Sequence, residues 1–429
     1  MPNNNDGKLK KFWKSLGPGL ITGASDDDPS GVATYSIAGA KFGLAVLWTV
    51  IFTLPFMVVI QKMAGRIGLI SGKGIAGNMK KHYPRYVLVI VALLAVSQNI
   101  INIGADISGM AAAFTSLVPI SPILYSLILV GGMVAVLILV PYYKLASYLK
   151  WVAVIMFSYI VAAFFVEHDW TEVFKRTIIP EIHWNKDYLL ILVAIFGTTI
   201  SPYLFFWQAS EQVEEERVHV DKLIPSTHPH HPKHRSEVII GREIGVMNRD
   251  IISGMFFSNI IMYFIIIMAT STLFNNGFHD VETINEIASV LRPLAGDYAN
   301  LLFLIGITAA GILAIPILAG SAAYVMAETF GWKDGLGQKF GHAKQFYTII
   351  SLATALGLLV PLTGFDPVKA LFYTAILHGV TAPFLIYVII HMANNPKVIG
   401  KFGNRRYSNV LGYILFGIMT LAAVSLLFL

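Results

Sequence analysis

The sequence predicts an all-α polytopic membrane protein, on three observations. Apolar residues fill 55% of the 429 positions and charged residues only 13%, against roughly 25% charge in a typical soluble domain. The apolar residues gather into eleven stretches, each near the ~20 residues a helix needs to cross a bilayer. With the N-terminus inside, 25 of the 31 Lys and Arg residues fall on the inner side and 6 on the outer, a strong positive-inside bias. The topology is therefore N-in, C-out. That bias also accounts for the net charge of +6 and the pI of 9.2 without a nucleic-acid partner. The absence of cysteine removes disulfides, thiolate metal sites and Cys nucleophiles.

In order, the stretches cover about 16–40, 44–64, 86–116, 122–142, 149–166, 187–210, 250–274, 298–328, 346–362, 369–392 and 408–428. The polar, basic segment before them lacks a small-residue cleavage site, so no signal peptide is expected. Three connections are long: 167–187 and 275–298 outside, and 212–248 inside. None holds a soluble catalytic domain, and no nucleotide loop, zinc-protease motif or catalytic triad is present, so the chain is not expected to be an enzyme. The domain plan is a single transmembrane domain over 1–429. It comprises a cytoplasmic tail (1–15), a first repeat (16–166), a second repeat (187–392) with a His-rich inner loop (212–248), and an eleventh helix (408–428).

Two stretches contain chemistry that lipid rejects. The first reads Ser25-Asp26-Asp27-Asp28-Pro29-Ser30-Gly31 in mid-span. Each acid costs about 2.5–3.5 kcal/mol at a helix centre, and consecutive residues turn ~100° apart, so three cannot share one protein-facing side. Pro29 removes a backbone donor. The segment is predicted to unwind inside the protein, exposing carbonyls beside carboxylates, a hard-oxygen cation site. The sixth stretch, Gly197-Thr198-Thr199-Ile200-Ser201-Pro202-Tyr203, is also interrupted by proline. Spans one to five and six to ten then form two repeats that enter from opposite sides. Paired interrupted helices in corresponding positions point to a transporter's binding site.

With these motifs the chain resembles the NRAMP family of divalent metal transporters over nearly its full length. Gly17-Pro18-Gly19, Asp28-Pro29, Asp106-x-x-Gly109, Ala382-Pro383-Phe384 and Gly400-Lys401-Phe402 carry the likeness. It implies the LeuT-type inverted-repeat fold, 5+5 helices plus one. The departures are informative. Gly31 stands where the family's metal-binding Asn would be, Ser201 where its Met would be, Tyr203 and Gln208 where it has His, and Ile103 where it has Asp. The ninth span, 347–359, lacks the family's arginines. These changes resemble the NRAMP-related magnesium transporter branch.

A thioether favours late transition metals. Replacing it by Ser201 removes that preference, and Gly31 enlarges the site for a largely hydrated Mg²⁺, which gives up water reluctantly. The expected metal residues are Asp28 as charged ligand, the Ser201 hydroxyl, the space at Gly31, and, by resemblance, the Ser25 and Thr198 carbonyls. Asp26, Asp27, Asp106, Tyr203 and Gln208 are pathway candidates. Asp26 and Asp27 have an equally good reading as hydrogen-bonded structural groups, and Asp106 as a partner of Asn99, Asn102 or nearby backbone. The expected function is uptake of Mg²⁺, and also Mn²⁺, by alternating access without obligatory proton coupling. The metal is cargo, with no cofactor. The partners are the ion and the bilayer, and the location is the plasma (inner) membrane of a bacterium. The alternatives are a proton-coupled Mn²⁺ or Fe²⁺ importer and an amino-acid permease on the same fold.

Four further features read more plainly. His228, His230, His231 and His234 lie among prolines and read as a linker ahead of a metal sensor. Glu211, Glu214, Glu215 and Glu216 read as a solvated helix end ahead of an exit vestibule. His378 and the run Phe205-Phe206-Trp207 read as packing.

Overall fold

The computed structural model describes residues 18–140, 155–223 and 237–426. The first apolar stretch is two helices, α1 (Pro18–Asp26) and α2 (Pro29–Phe42), meeting at Asp27-Asp28. Next come α3 (Trp48–Ser71), the short α4 (Ile75–His82), α5 (Arg85–Leu117) and α6 (Pro122–Leu139). The sixth stretch is again divided, into α7 (Lys186–Thr199) and α8 (Pro202–Leu223), with Ile200-Ser201 outside both. After these run α9 (Glu237–Thr272), α10 (Ala299–Phe330), α11 (Lys344–Gly357), α12 (Pro367–Ala393) and α13 (Arg406–Ser425).

Both expected breaks are therefore present, and a proline opens each second half. At N1 proline costs nothing, because that N–H has no helical partner and φ is already near the helical value. Among the described residues, nine helical segments are long and apolar enough to span a membrane. The divided first stretch is too short in either half to count among them. Of the fifth expected span only the end is described, including the helix Phe157–Ala163.

The long connections contain more helix than hydropathy indicated. Helix α8 continues to Leu223 and α9 starts at Glu237, so most of the expected loop 212–248 is polar helix. The His-rich cluster lies in 224–236, outside the described residues. The connection 167–187 includes the helix Trp170–Ile178, and 275–298 includes Ile284–Ser289, whose start is a capping box of Thr283 and Glu286.

The broken helices sit at the centre. Helix α1 packs on α9; α2 on α9, α12 and α7; and α8 on α3 and α10. Two of these contacts are backbone to backbone. A methyl group on Gly23 of α1 would sit 2.1 Å from the Gly254 carbonyl oxygen of α9, and one on Gly68 of α3 would sit 2.0 Å from that of Ala209 of α8. Small residues let membrane helices approach this closely, since packing must supply what the hydrophobic effect gives in water.

Gly68→Ala is therefore expected to lower thermal stability in detergent by about 1–3 kcal/mol, the usual cost of overpacking. Gly417→Ala on α13, where no atom lies within 4 Å, is expected to be neutral or slightly stabilising. Equal melting temperatures for the two variants would contradict the close-contact account.

Candidate metal site

The site forms where the two breaks face each other. Asp28 is the N-cap of α2. Its Oδ1 accepts from the Gly31 N–H at 2.7 Å, and its Oδ2 accepts from Asn102 Nδ2 of α5 at 2.9 Å. The carboxylate is thus fixed by its own helix and by a neighbour, with lone pairs remaining on both oxygens. Asn102 was read from sequence only as a partner for Asp106. Which residue a helix side chain meets across the bundle is not visible in the sequence.

Gly31 opens onto oxygen. A methyl group built there would lie 3.2 Å from the Asp26 carbonyl oxygen, 3.2 Å from Thr198 Oγ1 and 3.5 Å from Asp28 Oδ1. A side-chain carboxylate, a hydroxyl and a main-chain carbonyl therefore converge on the space left by the missing side chain. This is hard-ligand chemistry suited to Mg²⁺, Ca²⁺ or Mn²⁺.

Two expected ligands are arranged differently. The Thr198 carbonyl accepts the Ser201 hydroxyl at 2.5 Å, so it is the Thr198 hydroxyl that points toward Gly31. The Ser25 carbonyl accepts the Tyr203 hydroxyl at 2.8 Å. Tyr203 thereby clasps the end of α1 to the start of α8, while its own carbonyl accepts from Ser321 of α10 at 3.0 Å. Ser201 spends its proton on the last turn of α7 and keeps its oxygen as an acceptor. The carbonyl of Asp26 is a site oxygen that the sequence reading missed.

The remaining acids are dry. Asp26, Asp27 and Asp106 have no exposed surface. Ser258 of α9 donates to Asp26 Oδ2 at 3.0 Å and lies 3.3 Å from Asp27 Oδ1. This matches the structural reading of these two acids; they line no open vestibule here. Neither carboxyl oxygen of Asp106 has a side-chain partner. Asn99 donates instead to the Leu318 carbonyl at 3.0 Å, and Asn102 to Asp28; of the expected partners, neither amide meets Asp106, and the backbone N–H of Ser30 lies beside it. Gln208 is buried against Gly65 of α3, about two turns along α8 from Ser201. His378 packs its ring 5.8 Å from that of Tyr203. Among the described residues, no three His, Asp or Glu side chains gather closely enough to hold an ion. The site is one carboxylate among neutral oxygens.

Polar contacts join helices toward either end of the region. At the end of α2, Lys41 pairs with Asp187 at 2.9 Å and Asp280 at 3.7 Å. At the opposite end, Glu214 of α8 accepts from the Tyr324 hydroxyl and from the backbone N–H groups of Leu336, at 2.6 Å, and Gly337, at 3.3 Å. Glu214 is thus a bound group rather than part of a solvated helix end.

Comparison with known proteins agrees with this geometry. The profile of the natural resistance-associated macrophage protein-like (Nramp) family matches residues 19–429. The divalent metal cation transporter MntH of Caldanaerobacter subterraneus subsp. tengcongensis is 23% identical over 426 residues, covering 95% of this chain and 91% of that protein. The Eremococcus coleocola manganese transporter superposes with a TM-score of 0.77 at 17% identity, covering 99% of this chain and 88% of that one. MhsT in complex with L-phenylalanine superposes at 0.60 with 11% identity, covering 96% and 98%. The structural likenesses are of fold alone, the LeuT-type fold. Nine apolar helices and bacterial relatives make this a multi-pass protein of the plasma membrane. The chain belongs to the Nramp family of divalent metal transporters.

Proposed function

We propose that this transporter takes up a hard divalent cation, Mg²⁺ first and Mn²⁺ with it, by alternating access at the paired helix breaks. The supporting observation is the all-oxygen surround of Gly31, formed by Asp28 Oδ1, Thr198 Oγ1 and the Asp26 carbonyl. No thioether stands at Ser201 to favour a softer metal. These oxygens stand close about Gly31, where a methyl group would already be in tight contact. The binding step is therefore proposed to widen this spot enough for Mg²⁺ to keep waters, bridged to the Ser201 oxygen and to the free lone pairs of the Ser25 and Thr198 carbonyls.

The proposal includes eleven spans, N-in and C-out, with repeats over 16–166 and 187–392. In that orientation Lys41 with Asp187 and Asp280 closes the outer side, and Glu214 the inner side. The ion enters when the first closure opens, binds at Asp28, and leaves when the second gives way. The membrane potential supplies ~4.6 kcal/mol per 100 mV to a divalent ion. Between Pro202 and Val213 α8 carries no histidine, and α11 carries no arginine, to offer a proton route.

A second reading, a proton-coupled Mn²⁺ importer, is favoured by two observations. The relatives' names specify divalent metal cations and manganese, and Asp106 is a buried acid without a side-chain hydrogen-bond partner.

Three measurements in proteoliposomes test the proposal. Asp28→Ala removes the ligand charge and is expected to abolish uptake. Asn102→Leu leaves the ligand but frees its orientation, and is expected to raise KM about 10–100-fold, the usual cost of losing a group that orients a metal ligand. Wild-type uptake rates in Asp28→Ala would remove this site from the mechanism.

Millimolar Mg²⁺ is expected to suppress Mn²⁺ uptake by direct competition. Indifference to Mg²⁺ would favour the manganese reading.

An internal pH dye is expected to stay steady during metal influx. Acidification in step with the metal would establish proton coupling.

A further inference from the structure

Away from the metal path, a cavity of about 360 Å³ lies between the C-terminal end of α3, the short helix α4 and the turn after α12. Its volume is within the ~300–1,000 Å³ range of small-molecule sites. Lys73, Lys81, Lys397, Lys401 and His82 line it, and among the described residues no acid does. Lys401 and Phe402 belong to the Gly400-Lys401-Phe402 motif, which the transport mechanism leaves without a role.

The walls are built rather than incidental. Arg66 of α3 donates to the carbonyls of Phe402 and Gly403, at 3.5 and 3.4 Å, and to Asn404 Oδ1 at 3.4 Å, fixing the turn after α12. Asn78 of α4 donates to Ser71 Oγ at 2.7 Å and to the carbonyls of Lys73 and Gly74 at 2.9 Å each, fixing the opposite wall. Ile70, Val398 and Ile399 add an apolar lining, with Val398 and Ile399 buried. His82 is held below its usual pKa by partial burial and then by Lys81, Lys397 and Lys73, as expected beside these lysines.

We propose that this pocket binds the phosphate headgroup of an anionic phospholipid, with the lysines on the phosphate and the glycerol and first methylenes on the apolar lining. The shared chemistry is a phosphate anion. The lipid is the chosen source because the pocket sits at the ends of membrane-spanning helices and pairs its positive rim with an apolar wall. Basic pockets between membrane helices bind such headgroups, at about 1 kcal/mol, or about fivefold in affinity, per lysine near the surface.

Native mass spectrometry of the purified full-length protein, with equal phosphatidylglycerol and phosphatidylcholine, tests this. Wild type is expected to retain phosphatidylglycerol preferentially. The K73Q/K81Q/K397Q variant is expected to lose that preference at least about tenfold, with up to about fivefold lost per lysine. K333Q/K339Q/K344Q, the same charge change placed elsewhere, is expected to keep it. Single K397E, checked for a monodisperse size-exclusion profile, repeats the test if the triple variant folds poorly. Equal retention in the pocket variants and wild type would overturn the site, and so would equal loss in the control. Displacement of the lipid by millimolar inorganic phosphate would overturn its identity as a lipid site.

Discussion

The structure depends on the double anchoring of the Asp28 carboxylate. A helix that starts inside a membrane protein leaves backbone donors without partners, and no bulk water is present to meet them. Pro29 removes one donor and Asp28 Oδ1 takes the Gly31 N–H. The N-terminal end of α2 also carries partial positive charge, which favours a carboxylate there. Asn102 then ties the other oxygen to α5. Break, cap and proposed ligand are one feature: the residue that makes the interruption tolerable is also the one proposed to meet the cation.

Helix ends set the rest of the site. Helices α1 and α7 both run into the breaks with their C-terminal carbonyls, the partially negative ends. The Asp26 carbonyl turns toward Gly31, and the Thr198 and Ser25 carbonyls are each held by a hydroxyl, from Ser201 and Tyr203. This is the usual division of labour in broken transporter helices, where unwound carbonyls and helix C-termini face cations. Tyr203 adds a tie of its own: its hydroxyl donates to the Ser25 carbonyl and joins the two breaks across α1 and α8.

The sequence disclosed the interruptions because proline and buried acids violate the rules for a lipid-facing helix, and Gly31 and Ser201 because a small residue in place of a ligand is visible in one dimension. It did not disclose the partners. Asn102 on Asp28, Ser258 on Asp26 and Asp27, and the backbone donors on Glu214 are tertiary contacts between helices with no fixed spacing. Hydropathy also misjudged 212–248, since a polar extension of a helix beyond the membrane scores like a loop. The Thr198 carbonyl, expected to face the ion, accepts the Ser201 hydroxyl instead. One hydroxyl rotor on Ser201 decides that, and residue type alone does not specify it.

The two polar contacts toward the ends of the site differ in physical kind, and in the proposed cycle this makes the two sides unequal. Lys41 and its partners are solvent-accessible, with Lys41 at 30%, Asp187 at 54% and Asp280 at 77% side-chain exposure. Such pairs contribute only about 0–1 kcal/mol and exchange readily with water and ions. Glu214 is half-buried and receives a phenol and two backbone N–H groups. Hydrogen bonds to a charged acceptor are roughly twice as strong as neutral ones, and breaking them strands donors as well as the carboxylate. In the proposed orientation the outer side therefore opens cheaply, while the inner side opens only when something offsets the loss around Glu214. If the proposed path runs past Glu214, a divalent ion reaching that carboxylate supplies the competing positive partner that this offset requires.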